Sequence, residues 1–194
     1  DESLWTVLYC IYLIRYCLSS AFKEENDMEV YLREWMTSDA FALSEILNEK
    51  DMHKFMRDLP FPYSVTDASW YINQCLNADK DRLYSFAIVA DGKLAGCISA
   101  LRGENIKRMS AEVGYYVKRE LWGRGVATAA LKQLVRYIME NTDIVRLYST
   151  AFSENIASCK VLKNCGFEYE GTLVKAVVKY GKLHDEKVYA LIRQ

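Results

Sequence analysis

MSAEVGYYVKRELWGRGVATAALKQLVRYIME, residues 109–140, is the stretch on which the reading of this chain turns. Its first part, Met109 to Lys118, is rich in valine and tyrosine and reads as a β-strand. Its last part places Ala127, Leu131, Leu134 and Ile138 on one helical face and Lys132, Arg136 and Glu140 on another, so it reads as an amphipathic helix to about Glu140. Between them lies Trp122-Gly123-Arg124-Gly125-Val126-Ala127. A strand that ends in a glycine-rich turn and opens a helix points several backbone N–H groups at one spot, and the helix dipole adds positive potential there.

The turn alone leaves readings open. It is an ordinary strand-to-helix turn that needs glycine for positive φ, or a cradle for a pyrophosphate, where Gly123 and Gly125 remove side chains that would block the backbone's approach. A dinucleotide-binding fingerprint would want a third glycine where Thr128 stands, and the strands upstream look antiparallel.

Working outward, Val30 to Trp35 alternates as a first strand. Thr37 can cap a helix carrying Ala40, Leu43, Ile46 and Leu47. Met52 to Pro62 has no clear element, and Pro60 and Pro62 make a loop with Phe61 and Tyr63. Thr66 or Asp67 can cap a second helix bearing Trp70, Tyr71 and Leu76. Tyr84 to Ala90 and Lys93 to Leu101 flank Asp91-Gly92, a hairpin turn pair. Arg102 to Arg108 is loop-like. Beyond the central helix come a strand, Arg146 to Phe152, a short helix, Asn155 to Asn164, and two strands joined at Tyr180-Gly181-Lys182. This order predicts a mixed α/β or α+β sheet with helices packed on it.

Bulk composition narrows the partners. The chain has 194 residues, 51% hydrophobic and 26% charged, with a net charge of −1. No basic run is present to follow a phosphate backbone, which argues against direct nucleic-acid binding. Six cysteines, at 10, 17, 75, 97, 159 and 165, include no C-x-x-C pair, and there are two histidines. They read as buried free thiols of a reducing, cytoplasmic compartment, with no metal site expected. Residues 1–27 differ from the rest. The apolar character of Leu4 to Phe22 approaches the length of a membrane span, but Arg15 interrupts it and no basic flank precedes it. A membrane anchor is disfavoured against an appended segment or a docked amphipathic helix, and a self-contained domain is expected over 28–194.

Residues 109–171 resemble the GNAT acetyltransferase superfamily, whose acetyl-CoA motif would fall on Trp122 to Ala127. Trp122 departs from the usual Gln or Arg. That departure, Ala111-Glu112-Val113-Gly114-Tyr115, Asn155-Ile156-Ala157-Ser158, Lys163-Asn164-Cys165-Gly166-Phe167, Glu170-Gly171 and His184-Asp185 before Val188-Tyr189-Ala190-Leu191 are similar to the ribosomal-protein alanine/serine N-terminal acetyltransferase subgroup. The similarity spans about Met28 to Gln194 and implies an α/β (α+β) fold with a mixed, mostly antiparallel central sheet flanked by helices.

The resemblance implies acetyl-CoA as cosubstrate and an amine acceptor, a protein N-terminus or a small amine, served by a monomer or homodimer. It implies cofactor contacts at Tyr115, Val117, Trp122, Gly123, Arg124, Gly125, Val126, Ala127, Thr128, Asn155 and Ser158. The strand before the turn would be splayed by a bulge, exposing backbone to pantetheine, with the N–H near Val117 polarising the thioester carbonyl. Glu112 is the candidate base, against a strand carboxylate paired with Lys or Arg. Many GNAT enzymes carry a tyrosine acid where this chain has Leu162, so Ser158 is the candidate near the leaving sulfur, against a serine bonded to backbone. Phe61, Tyr63, Trp70 and Tyr71 are groove or core residues. His184 and Asp185 are expected to make structural hydrogen bonds. A low-turnover acyl-CoA-binding module remains the rival.

Overall fold

The computed structural model describes residues 28–56 and 59–194. Among these residues, seven strands form one sheet: β1 (Val30–Arg33), β2 (Leu83–Ala90), β3 (Lys93–Arg102), β4 (Ser110–Val117), β5 (Arg146–Phe152), β6 (Glu168–Lys179) and β7 (Lys182–Ile192). Four α-helices join them: α1 (Ala40–Leu47), α2 (Val65–Asn77), α3 (Val126–Asn141) and α4 (Ile156–Asn164). The strand order is β1-β2-β3-β4-β5-β7-β6, and β4–β5 is the parallel neighbour pair. The order of elements is as the patterning predicts, and the mixed, mostly antiparallel sheet is as the resemblance implies. No helix among the described residues is long and apolar enough to cross a membrane. The apolar segment before Met28 lies outside the described residues.

The core has two layers, one on each face of the sheet. On one, α3 lays Leu131, Leu134 and Ile138 against Ala111, Val113 and Val117 of β4, and α4 adds Cys159 and Leu162. On the other, α1 and α2 bring Leu43, Leu47, Ala68 and Ile72 against Ala87 and Cys97. Leu131, Leu134, Ile138 and Leu162 are fully buried, each stabilising the fold by about 1.5–3 kcal/mol. This packing orients the start of α3 over the end of β4.

Several local expectations are corrected. Thr37 does not cap α1: residues Thr37–Asp39 form a short 3-10 turn, and the Asp39 carboxylate takes the Met36 N–H at 2.9 Å and both Arg33 guanidinium nitrogens at 2.7 Å. Arg33, the last residue of β1 and six residues before Asp39, fixes that carboxylate at the helix entry in place of the Thr37 hydroxyl. Ser64, rather than Thr66 or Asp67, caps α2. Its Oγ accepts from Asp67 N–H, and the Asp67 carboxylate accepts from Ser64 N–H, a reciprocal capping box. Of the four groove or core aromatics, Tyr63 is buried and Tyr71 bonds Cys97 at 3.1 Å, whereas Phe61 and Trp70 are exposed. Cys75, Cys97 and Cys159 are buried free thiols, and Cys165 is half-buried.

Candidate active site

The site begins where β4 and β5 part. They pair only from Ser110–Arg146 to Glu112–Tyr148. Beyond that, β4 stays with β3 and β5 stays with β7, so a wedge opens between Val113–Val117 and Ser149–Phe152. The expected splay is present but the expected bulge is not, since the β3–β4 register runs without a shift from Arg102–Ala111 to Gly96–Val117. Divergence of two strands, not an inserted residue, makes the gap.

The ladder fixes which backbone groups face it. Lys118 N–H donates to Ala95 O at 2.7 Å. Because hydrogen-bonded pairs alternate along an antiparallel ladder, Tyr116 and Gly114 also face β3. Val113, Tyr115 and Val117 therefore turn their N–H and C=O groups toward the wedge. Val117 N–H, the donor the resemblance implies for the thioester carbonyl, therefore faces the wedge. The Val117 carbonyl is taken by the Trp122 indole Nε1–H at 2.7 Å, which ties the turn to the strand.

In the turn itself, Gly123 (φ 75°) and Gly125 (φ 81°) adopt left-handed backbone. Nothing lies within 4 Å of where a Cβ would stand at either, so the cradle is open to a ligand. Gly125 is the N-cap of α3 and supplies no capping side chain. The first intrahelical bond of the turn is Ala129 N–H to Gly125 O, so the N–H groups of Val126, Ala127 and Thr128 emerge at the helix mouth. Arg124 is exposed beside them. Such a cradle suits the pyrophosphate of acetyl-CoA.

Side-chain alternation then separates the proposed chemical groups. Odd-numbered β4 residues face α3 and α4, and even-numbered ones face α1 and α2. Tyr115 reaches α4, its Oη lying 2.9 Å from Ser158 Oγ and donating to Ser158 O at 3.2 Å. Burial pushes the Tyr115 phenol well above its ordinary pKa, against the lowering influence of Ser158, so it is neutral near pH 7. Asn155 caps α4, its Oδ1 accepting from Ser158 N–H at 3.1 Å. Glu112 lies on the opposite face, half-buried, beside Tyr148. Leu162 is wholly buried in the core.

The α1–α2 connection and the β6–β7 hairpin meet over the Glu112 face. Lys179 Nζ donates to Met56 O at 2.7 Å and Tyr180 Oη to His53 O at 3.5 Å. Below them Phe55 packs on Phe152 at 5.9 Å between ring centroids, and Phe152 on His184 at 5.5 Å. His184 Nδ1 and Glu154 Oε1 are 3.1 Å apart, and Asp185 accepts from Lys175 N–H at 2.7 Å, so both have the structural bonds expected of them. Sequence reasoning missed Phe55, Phe152, Glu154 and Lys179, because their meeting depends on pairing between distant segments. It also missed Glu186, a buried carboxylate that accepts from Thr150 Oγ1 at 3.3 Å. An acidic residue inside a strand was the available signal.

The wedge, the open-mouthed glycine turn and the flanking side chains define an acyl-CoA-dependent transferase domain. Residues 29–168 match the model of the acetyltransferase (GNAT) domain, and the chain belongs to the GNAT acetyltransferase family. It is similar to YdaF of Bacillus subtilis (strain 168), provisionally named a ribosomal N-acetyltransferase, at 32% identity over 55% of this chain and 58% of that protein's length. It is also similar to the L-amino acid N-acetyltransferase AaaT of Escherichia coli (strain K12), at 25% identity over 85% of this chain and 99% of the relative. Among solved structures, Mycobacterium smegmatis RimJ in complex with CoA-disulfide superposes with a TM-score of 0.73 at 26% identity, covering 84% of this chain and 81% of that one.

Proposed function

We propose that residues 28–194 transfer acetyl directly from acetyl-CoA to the primary amine of a protein or peptide N-terminus, in the cytoplasm. The observation that carries the choice of acceptor is the closure of Lys179 and Tyr180 onto Met56 and His53. A mouth roofed in this way admits a chain end more readily than a lysine on a continuous folded surface.

The turn N–H groups from Gly123 to Thr128 would hold the pyrophosphate, with Arg124 adding charge. Trp122 holds the turn to β4. The backbone edge of Tyr115 and Val117 would pair pantetheine, and Asn155, its Oδ1 committed to the helix cap, would offer its amide NH₂. Val117 N–H would stabilise the tetrahedral oxyanion. Glu112 and Ser158 lie on opposite faces of β4, which suits attack from the α1–α2 side and departure of sulfur on the α4 side.

The acceptor must attack as a neutral amine. An α-amine has a pKa of about 7.7–8.0 and a lysine about 10.4, so neutralisation at pH 7 costs about 1 and about 4–5 kcal/mol respectively. A base such as Glu112, acting directly or through water, meets the smaller demand. The likeness to AaaT favours a second reading, a free amino acid or other small amine as acceptor.

Thiol release from acetyl-CoA, measured on the full chain with Ala- and Ser-starting peptides, free amino acids and polyamines, tests the assignment. Peptides are expected to give the highest kcat/KM. Preference for a free amino acid overturns the N-terminal reading, and CoA binding without release for any acceptor favours a binding module.

A further inference from the structure

With Leu162 buried where many family members carry a tyrosine, the sulfur side of the wedge has no phenol from α4. A phenol reaches it from the other wall. Tyr115 leaves β4 just past the point where β4 and β5 part, crosses to the first turn of α4 and meets Ser158. We propose that Tyr115 is a positioning residue for the leaving group: its hydroxyl and that of Ser158 form one donor unit that stabilises the departing CoA thiolate. The proposal rests on the acetyl-CoA reading of the wedge and deepens it.

The chemistry follows from what each hydroxyl can do. A hydroxyl carries one proton and two acceptor lone pairs. The single Tyr115 proton has two acceptors in reach, Ser158 O at 3.2 Å and Ser158 Oγ at 2.9 Å; turned to Oγ it gives up the carbonyl and frees the serine hydrogen to point toward the wedge, polarised by the bond its oxygen accepts. Neither group surrenders its proton. A phenol with an ordinary pKa near 10, raised further here by burial, cannot protonate a thiolate whose conjugate acid has a pKa of about 8.5. In the balanced reaction the amine pair forms the N–C bond and the C–S pair goes to sulfur. The surplus proton on nitrogen passes to Glu112 or to water. Sulfur leaves as a thiolate hydrogen-bonded by Ser158 Oγ–H.

The groups facing this unit set the background. Cys159 and Cys165 lie near Tyr115 from α4 and its C-cap, and burial raises the Cys165 thiol. Tyr189 of β7 lies against Cys159, and its phenol is pushed up to about 12 by burial. Lys132 of α3 acts on Cys165. The cation among them is Lys132, which reaches the region through Cys165, so a change at Tyr115 is read against an otherwise neutral setting.

The test titrates the thiol of CoA bound to the full chain, following thiolate absorbance, with no acceptor present. Bound thiol is expected to be more acidic than free CoA. Tyr115→Phe and Ser158→Ala should each move it back toward the free value, Ser158→Thr should keep it, and the double variant should go no further than Ser158→Ala. With any competent acceptor, Tyr115→Phe should lower kcat about tenfold, the worth of one hydrogen bond, with KM for acetyl-CoA held within about twofold. An unshifted thiol in Tyr115→Phe, or losses that multiply in the double variant, overturns the proposal. If Tyr115→Phe fails to fold, an unshifted thiol in Ser158→Ala overturns it alone. Absence of CoA binding by the unaltered chain would instead sink the cofactor reading, and failure to find a peptide acceptor leaves the titration intact.

Discussion

The Trp122 indole donates its N–H to the carbonyl of Val117 at 2.7 Å, so the first residue of the glycine turn clasps the last residue of β4. The half-exposed ring consumes an edge acceptor and leaves Val117 N–H as the strand-end donor. Trp122→Phe removes that bond and keeps most of the ring. CoA binding should weaken about five- to tenfold, the equivalent of about 1 kcal/mol. Calorimetric titration with CoA checks this, and unchanged affinity would mean that the clasp does not hold the turn.

Gly125→Trp tests the cradle. A side chain there meets open space but must adopt a left-handed backbone, which costs about 1–2 kcal/mol. The protein should fold with a melting temperature a few degrees lower and lose measurable CoA binding. Retained affinity in the folded variant would show that the pyrophosphate lies elsewhere.

Glu112→Gln should lower kcat about a hundredfold, a typical general-base contribution. The loss should be steepest below neutral pH, where an α-amine of pKa about 7.7–8.0 is mostly charged and needs its proton removed. A variant whose pH–rate profile overlays the original, merely scaled, places the base at another residue.

Lys179→Met loosens the roof by removing the bond to Met56 O. KM for a peptide acceptor should rise about three- to tenfold through loss of one charge-assisted bond, while CoA affinity stays constant. Equal changes in both would mean a general loss of packing.

Asp39→Asn tests the clamp between β1 and the start of α1. Burial raises the Asp39 pKa, but the Arg33 and Met36 hydrogen bonds outweigh it and hold the carboxyl below its usual 3.8. A depressed folded-state pKa contributes stability that is present above the unfolded pKa and lost as pH falls through the folded value. The variant should therefore be less stable by about 1.5–3 kcal/mol near pH 7, the worth of hydrogen bonds to a charged group, with the difference narrowing below about pH 4. Denaturant melts at both pH values decide it.

What residues 109–140 determine by themselves is local and periodic. Strand, turn and helix follow from β-branched and aromatic residues, two glycines that tolerate positive φ, and apolar spacing at helical period. With the later motifs they were enough to read the fold class and the family. Helix capping was less legible, because Asp39 and Ser64 compete with neighbouring hydroxyls, and Arg33, six residues before Asp39 at the end of β1, settles the outcome there. The tertiary structure alone decided which face of β4 carries Glu112 and which carries Tyr115, that Tyr115 meets Ser158 across 43 residues of chain, and that the hairpin tip closes on Met56 across 123. Those relations depend on strand register and on where β4 leaves β5. Neither is written in any single segment, because each is settled by the summed packing of both core layers against one sheet.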